Sequence, residues 1–434
     1  MDKTEKNIGW FVIIMTVLIM LWGTVDLKQR QTVTLHVGVY AGSYWDSPNG
    51  DCYRILDRVI ERFESEHEGV KVEYVSGIGS QDYSEWLTEQ ILLAKEPDVY
   101  FVLPDDFDLL ATSGALAPLD SMIREDASFD TEAYYEPCLS AGKRGGIQYA
   151  LPQESVPTIM IVNKTLLASA GIPMPSADWT WEDCLSICRK VTETIPGAYS
   201  VYDYSWPTAL YANDAALFSE RGDYCNLTDS NIREAIRYVQ KLEELNDGHI
   251  VTSRDFDLGN VVFRPFLYSE YRMYQPFPWR VKKYTNFEWD GLPMPAGPKG
   301  DNVSLLRTML MGMSARTNHP QLSWEFMKLL CYDEEIQQDL YTYSRGISPL
   351  TAVAEDSNIV SLLQEDIPGT TEFNADVIRR IMTSAVEMYR FPGCERALMM
   401  AENGVREEAD SDSSRGDGLL SLQREINEYL SKTK

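Results

Sequence analysis

Histidine is scarce in this chain, and the common catalytic and metal-binding motifs are missing. Only His36, His67, His249 and His319 occur in 434 residues. They fall in a strand-like stretch, two turns and a helix start, outside any motif, and read as surface or packing residues. No Gly-x-Ser-x-Gly elbow, P-loop or His-Glu-x-x-His is present, so nucleophilic, nucleotide and zinc-protease chemistry lack their sequence marks. Carboxylates are so numerous that a glycosidase-like pair would arise by coincidence. The chain is therefore read as a non-enzyme with no catalytic residue and no cofactor. Seven cysteines are scattered, only Cys184 and Cys188 stand close, and no Cys-x-x-Cys pair exists. A zinc or redox centre is not expected, and most of these thiols are expected to be small buried hydrophobes.

Basic residues are also few. Lys and Arg number 39 against 66 Asp and Glu, for a net charge of −27. That balance argues against nucleic acid or anionic lipid as the main partner and suits a neutral or cationic ligand better than an anionic one. The chain has one long apolar run, Ile8 to Val25, which holds no charge and is about the minimum length that spans a bilayer. No small-x-small cleavage site follows it, and no cysteine stands directly after it for lipid attachment. A retained N-terminal membrane-anchor helix is the expectation; a signal peptide cut near Thr24 is the alternative.

What is present is an alternation of strand and helix patterns. Thr32 to Val39 alternates as a strand, and Arg54 to Glu64 places Ile55, Val59 and Phe63 on one helical face. Val70 to Val75 alternates again, Tyr83 to Leu93 is helical in pattern, and Asp98 to Leu103 is a continuous apolar strand of the kind found in parallel sheets. An apolar helix then runs to Gly114. This β-α-β-α-β order predicts a doubly wound α/β lobe. Further on, Asn163-Lys164 opens a helix that stops at Gly171, Pro173 and Pro175 forbid its continuation, and Thr180-Trp181-Glu182-Asp183 reads as a cap before the next helix. At 44% hydrophobic residues, with length to spare, two lobes of ordinary size are expected.

The segment V-N-K-T-L-L-A-S-A-G-I-P-M-P followed by W-T-W-E-D resembles a signature of the bacterial extracellular solute-binding proteins of ABC importers, in their large sugar-binding group. Other blocks resemble the same family in the same order: F-E-x-x-x-x-G-V-K-V-E, P-D-V-Y-F, G-A-L-A-P-L-D, the stretch from Arg272 to Gly300, and Ser314 to Leu350. The resemblance covers essentially all of the chain after Gln31. It implies two doubly wound α/β lobes joined by a multi-segment hinge, the type II periplasmic-binding-protein-like architecture. The expected division is 1–31 for the cytoplasmic stub, anchor and linker, 32–153 plus 294–331 for lobe 1, and 154–293 plus 332–434 for lobe 2. Crossings are expected near Pro152 to Val156, Gly291 to Pro295 and Leu330 to Asp333.

The resemblance also implies a sugar or oligosaccharide ligand in an interlobe cleft. A pyranose offers apolar faces ringed by hydroxyls, so its site pairs aromatic platforms with carboxylates, amides and arginine. In open α/β sheets the ligand lies at the carboxyl ends of the strands. In lobe 1 that rule selects Tyr44, Trp45 and Asp46, then Asp82, then Asp105 and Asp106, although the last two are also placed to cap a helix. From the hinge and lobe 2 come Glu154, Tyr202, Asp203 and Trp206, the alternative for the last three being a packed strand edge. Trp279 and Arg280 stand where the family carries a Gly-Pro-Trp whose tryptophan stacks on sugar, with Phe277 replacing the glycine. Arg345 is expected at the cleft or on a hinge carboxylate. The implied partners are the small-molecule ligand, ABC permease subunits, and the membrane through the N-terminal helix, with the monomeric binding domain on the extracellular side. A ligand receptor for a sensor system, or a binding protein for a polyol, amino-acid-like or cationic solute, would share these features.

Overall fold

The computed structural model describes residues 32–43, 51–219, 221–273, 287–366, 373–410 and 417–433. The apolar run Ile8 to Val25 lies outside them. Among the described residues no helix is long and apolar enough to cross a membrane.

The first half builds as its periodicity predicts. Strand β1 (Val33–Gly38) leads to helix α1 (Arg54–Glu66), whose buried face is Ile55, Leu56, Val59 and Phe63. Strand β2 (Val70–Tyr74), helix α2 (Ser80–Leu92), strand β3 (Val99–Val102) and helix α3 (Phe107–Ser113) follow. Gly114 ends α3 in the left-handed region at φ +75°, where a side chain would be strained. Both β2 and β3 pair with β1 in parallel, in the order β2-β1-β3.

The long strand β4 (Ala150–Asn163) is buried over all its 14 residues. Helix α4 (Lys164–Ser169) is opened by the Asn163 side chain, which accepts from the Leu166 N–H, and Gly171 follows at φ +65°. Helix α5 (Trp181–Thr194) starts with a full capping box between Thr180 and Asp183. Then come strand β5 (Tyr199–Val201), helix α6 (Ser230–Glu244), strand β6 (Val261–Leu267), the short helix α7 (Tyr268–Met273) and strand β7 (Trp289–Leu292). Strand β8 (Leu305–Met313), helix α8 (Pro320–Cys331) and strand β9 (Val386–Glu387) complete the elements that frame the site.

The strands join one nine-stranded sheet in the order β2-β1-β3-β8-β4-β6-β5, with β9 on β8 and β7 on β4. The sheet is mixed, since β8 runs antiparallel to both β3 and β4. The apolar run at 98–103 therefore reported burial on both faces, not the direction of its second neighbour. Strand β4 changes partners midway: residues 150–157 pair with β8, and residues 158–163 pair with β6 and β7. Its period of two also separates the cores. Ile159 and Ile161 join the larger hydrophobic cluster, while Met160 and Val162 join the one beneath α5 and α6. After α8, the short helices at Glu334–Gln338 and Leu340–Tyr343 pack on α1, through Arg58 with Asp339 (2.6 Å) and Arg62 with Asp333 (3.0 Å). Five of the seven cysteines are buried, and Cys52 and Cys394 are partly exposed.

Candidate functional site

Register locates the site. Val102 at the end of β3 is level with Leu310 of β8, and Leu310 is level with Pro152 of β4. Strand β3 thus delivers Leu103 to Asp106 toward residues 153–156 of β4. From the opposite direction, β6 ends with Leu267 level with Thr158, so Tyr268 to Arg272 arrive at the same stretch. Because β2 and β3 flank β1, the β1–β3 edge is a topological switch point, where α/β sheets open a crevice at their carboxyl ends. The polar residues of β4 concentrate here: Gln153, Glu154, Ser155 and Thr158 are all buried.

A cavity of about 50 Å³ lies at this junction, between the end of β1 (Tyr40, Ser43), Tyr53, Gln153, Glu154 and Ser344. The segment after Tyr343 is held against β4 by reciprocal backbone bonds between Ser155 and Ile347 (3.0 and 2.8 Å). Ser344 donates its hydroxyl to Glu154 Oε1 at 2.6 Å. Gly346 packs so closely on Glu154 that a Cβ there would lie 2.3 Å from its Cγ. Beneath them, Gln337 donates to the Gln153 and Leu330 carbonyls and accepts from Ser348. Arg345 is half-buried, and desolvation first, then the charge of Arg272, lowers its pKa.

The residues expected from sequence distribute as follows. Tyr44, Trp45, Asp46, Trp279 and Arg280 lie outside the described residues. Glu154 faces the cavity and Arg345 stands beside it. Asp82 is exposed in the first turn of α2, and Asp105 is exposed after β3. Asp106 precedes α3, accepts from the Ser84 hydroxyl and so ties α2 to α3; burial raises its pKa. Tyr202 and Asp203 meet at Arg264 of β6: the Tyr202 ring lies 4.8 Å under its guanidinium and Asp203 is 3.8 Å away. Asp203 is exposed, at φ +60°. Trp206 is buried in the second hydrophobic cluster, together with Tyr204, whose ring meets Tyr238 edge-on. An aromatic-acidic run on the sequence therefore divides, half toward the strand ends and half inward, because the chain turns into a helix at Trp206.

Two features escaped the sequence reading. Arg264 is enclosed by Tyr202, Phe256 and Phe266 and also approaches Glu270 at 3.8 Å. A lone arginine inside V-V-F-R-P-F-L was its one sequence signal. The second is a polar chain across the strand junction: Ser155 and Thr308 share a hydrogen bond (3.2 Å), and Thr308 donates to Glu387 (2.9 Å). Glu387 pairs with Arg390 (3.6 Å), which lies over the Phe107 ring. Burial pushes the Glu387 carboxyl up to about 7. Its hydrogen-bond partner Thr308 is 79 positions away in sequence, and the nearby Arg390 forms no recognisable motif with it.

A second depression, about 520 Å³, is lined by Lys164, Thr165, Leu167, Ile172, Met174 and Glu288. It sits at the outer end of β4, open to solvent and far from the converging strand ends, so it offers no enclosure for a solute. Among the described residues no group of three or more His, Cys, Asp or Glu is arranged to hold a metal ion.

The whole architecture is shared with solved structures. A cyclic α-maltosyl-1,6-maltose binding protein from Arthrobacter globiformis superposes with a TM-score of 0.75 at 14% identity, over 92% of this chain and 99% of that one. The sugar-binding protein MalE from Xanthomonas citri gives 0.73 at 15% identity, over 92% and 98%. An ABC substrate-binding protein of Listeria monocytogenes, in complex with cycloalternan, gives 0.65 at 19% identity, over 92% and 98%. At these identities the likeness establishes the periplasmic-binding-protein-like α/β fold. Residues 47–334 match the model of the bacterial extracellular solute-binding protein family, and the chain belongs to that family of binding proteins.

Proposed function

We propose that this protein captures a sugar or oligosaccharide between two lobes and delivers it to an ABC permease. The observation that carries the reading is the convergence of β3 and β6, from opposite directions, on the polar middle of β4. A ligand held there touches both halves at once and so favours a closed arrangement over an open one. The related structures named above, described as binding cyclic α-maltosyl-1,6-maltose, a sugar and cycloalternan, support a carbohydrate as cargo. The lobes are taken as 32–153 plus 294–331 and 154–293 plus 332–434, with the stretch after Cys331 also resting on α1.

Ligand contacts are assigned to Glu154, Arg345, Asp105, Tyr202 and Asp203, and, from the family resemblance, to Tyr44, Trp45, Asp46, Trp279 and Arg280. Asp82 and Asp106 are the outer members of the set; Trp206, turned into the second hydrophobic cluster, is left out of it. The apolar run Ile8 to Val25 is proposed to anchor the chain in the cell membrane, with the binding domain outside. Tethering raises the effective concentration at the permease and offsets weak docking.

The test is a thermal-shift screen of the full-length protein in detergent against saccharides, polyols, amino acids and polyamines. A ligand that binds only the native state raises the melting temperature. A saccharide shift that disappears in Trp279→Ala is the expected result. A shift from amino acids or polyamines alone would overturn the sugar assignment.

A further inference from the structure

Among the described residues, helix α7 carries buried hydrogen-bond donors without an acceptor. Tyr268 and Arg272 are four positions apart, hence on one helical face. Tyr268 is 0% exposed and Arg272 4%. Arg272 Nη2 donates to the Tyr341 carbonyl at 2.6 Å. Among the described residues nothing accepts from Arg272 Nε or Nη1, and the Tyr268 hydroxyl has no partner either. Buried polar groups are almost always paired, and a charged one left unpaired is costly. Three such atoms on one helical face are open to an acceptor beyond the described residues.

The surroundings define the chemistry. Arg272 follows the end of β6, whose last residue Leu267 is level with Thr158 of β4, and its charge is the largest single one acting on Arg345, ahead of Asp51 and Glu154. Arginine donates and never accepts. A neutral sugar hydroxyl brings its own hydrogen, which needs an acceptor, and the nearby Glu154 carboxylate already accepts from Ser344. A carboxylate brings acceptors only, and its charge offsets the cations.

We propose that the Tyr268, Arg272 and Arg345 cluster receives the carboxylate of an acidic sugar, so that the cargo is a uronate-bearing saccharide. This rests on the sugar-binding reading and narrows it. The net charge of −27 does not oppose it, because the field of distant surface carboxylates is screened over about 8 Å in physiological salt whereas the donors act in contact.

The test is calorimetric titration of the full-length protein with matched pairs: oligogalacturonate, oligomannuronate and glucuronate-bearing xylo-oligosaccharide, each against its neutral counterpart, with succinate as a free carboxylate. One uronate member is expected to bind roughly tenfold or more tighter than its neutral partner. Arg272→Met and Tyr268→Phe should each shrink that preference. Tyr268→Phe removes only an unpartnered hydroxyl, so it decides the matter if Arg272→Met does not fold. Equal binding within every pair, or preference for a neutral member, overturns the uronate assignment and leaves the sugar reading standing. Binding of succinate with no saccharide bound overturns both.

Discussion

Two buried polar residues of β4 have opposite fates. Asn163, at the outer end, is 1% exposed and spends its whole amide within the protein. It accepts from the Leu166 N–H (3.0 Å) and donates to the Gly259 and Val261 carbonyls (2.9 and 3.2 Å). Glu154, in the middle, is 6% exposed, accepts from Ser344 and lines the cavity where strand ends converge. Burial alone does not separate them. Position does: the amide that closes three bonds at a helix start is structural, and the carboxylate lines a cavity where strand ends converge.

The comparison breaks most easily at Asn163. Asn163→Ala leaves a helix N–H and two carbonyls without their partner, and should cost about 2–4 kcal/mol in urea denaturation. The folded fraction should keep its ligand affinity. A loss under ~1 kcal/mol would remove the contrast.

The next effect is on pH. The Glu387 carboxyl titrates at about 7 in the folded protein, above its ordinary 4.5. A raised carboxylate pKa means the folded state holds the proton more tightly. Its contribution is full below about 4.5 and is lost as pH rises through about 7, a swing of roughly 3 kcal/mol. Denaturation of Glu387→Gln between pH 4.5 and 8 should show a flatter profile than the parent. An unchanged slope would place the pH dependence elsewhere. Glu154→Gln should act the other way round from Asn163→Ala, weakening ligand binding roughly tenfold while stability stays within ~1 kcal/mol. The smallest effect is at Asp203, held at φ +60°. Asp203→Gly relieves that backbone and should raise stability by about 0.5 kcal/mol, measured by the denaturation midpoint.

Much of this frame was legible in the sequence because it is local. The strand and helix patterns from Val33 to Ser113, the Asn163 cap, the Gly171 stop and the Thr180 capping box depend on residues a few positions apart. The mixed sheet was not, since an apolar run at β3 carries no information on whether its neighbour is parallel. The site was legible only in part. Glu154 was read from the hinge and Arg345 from its place beside Gly346, whereas Arg264, Arg272 and Glu387 act through partners far along the chain, or through partners they lack among the described residues. Trp206 shows the converse, an aromatic beside strand-end residues that the next helix turns into the core.

The central claim is that one ligand contacts both halves across the middle of β4. Hydrogen–deuterium exchange of the full-length protein, with and without the saccharide giving the largest thermal shift, tests it most directly. The account predicts simultaneous protection of residues 40–43 and 103–106 on one side, 202–204 and 268–272 on the other, and 153–158 between them. Protection confined to one side would contradict it.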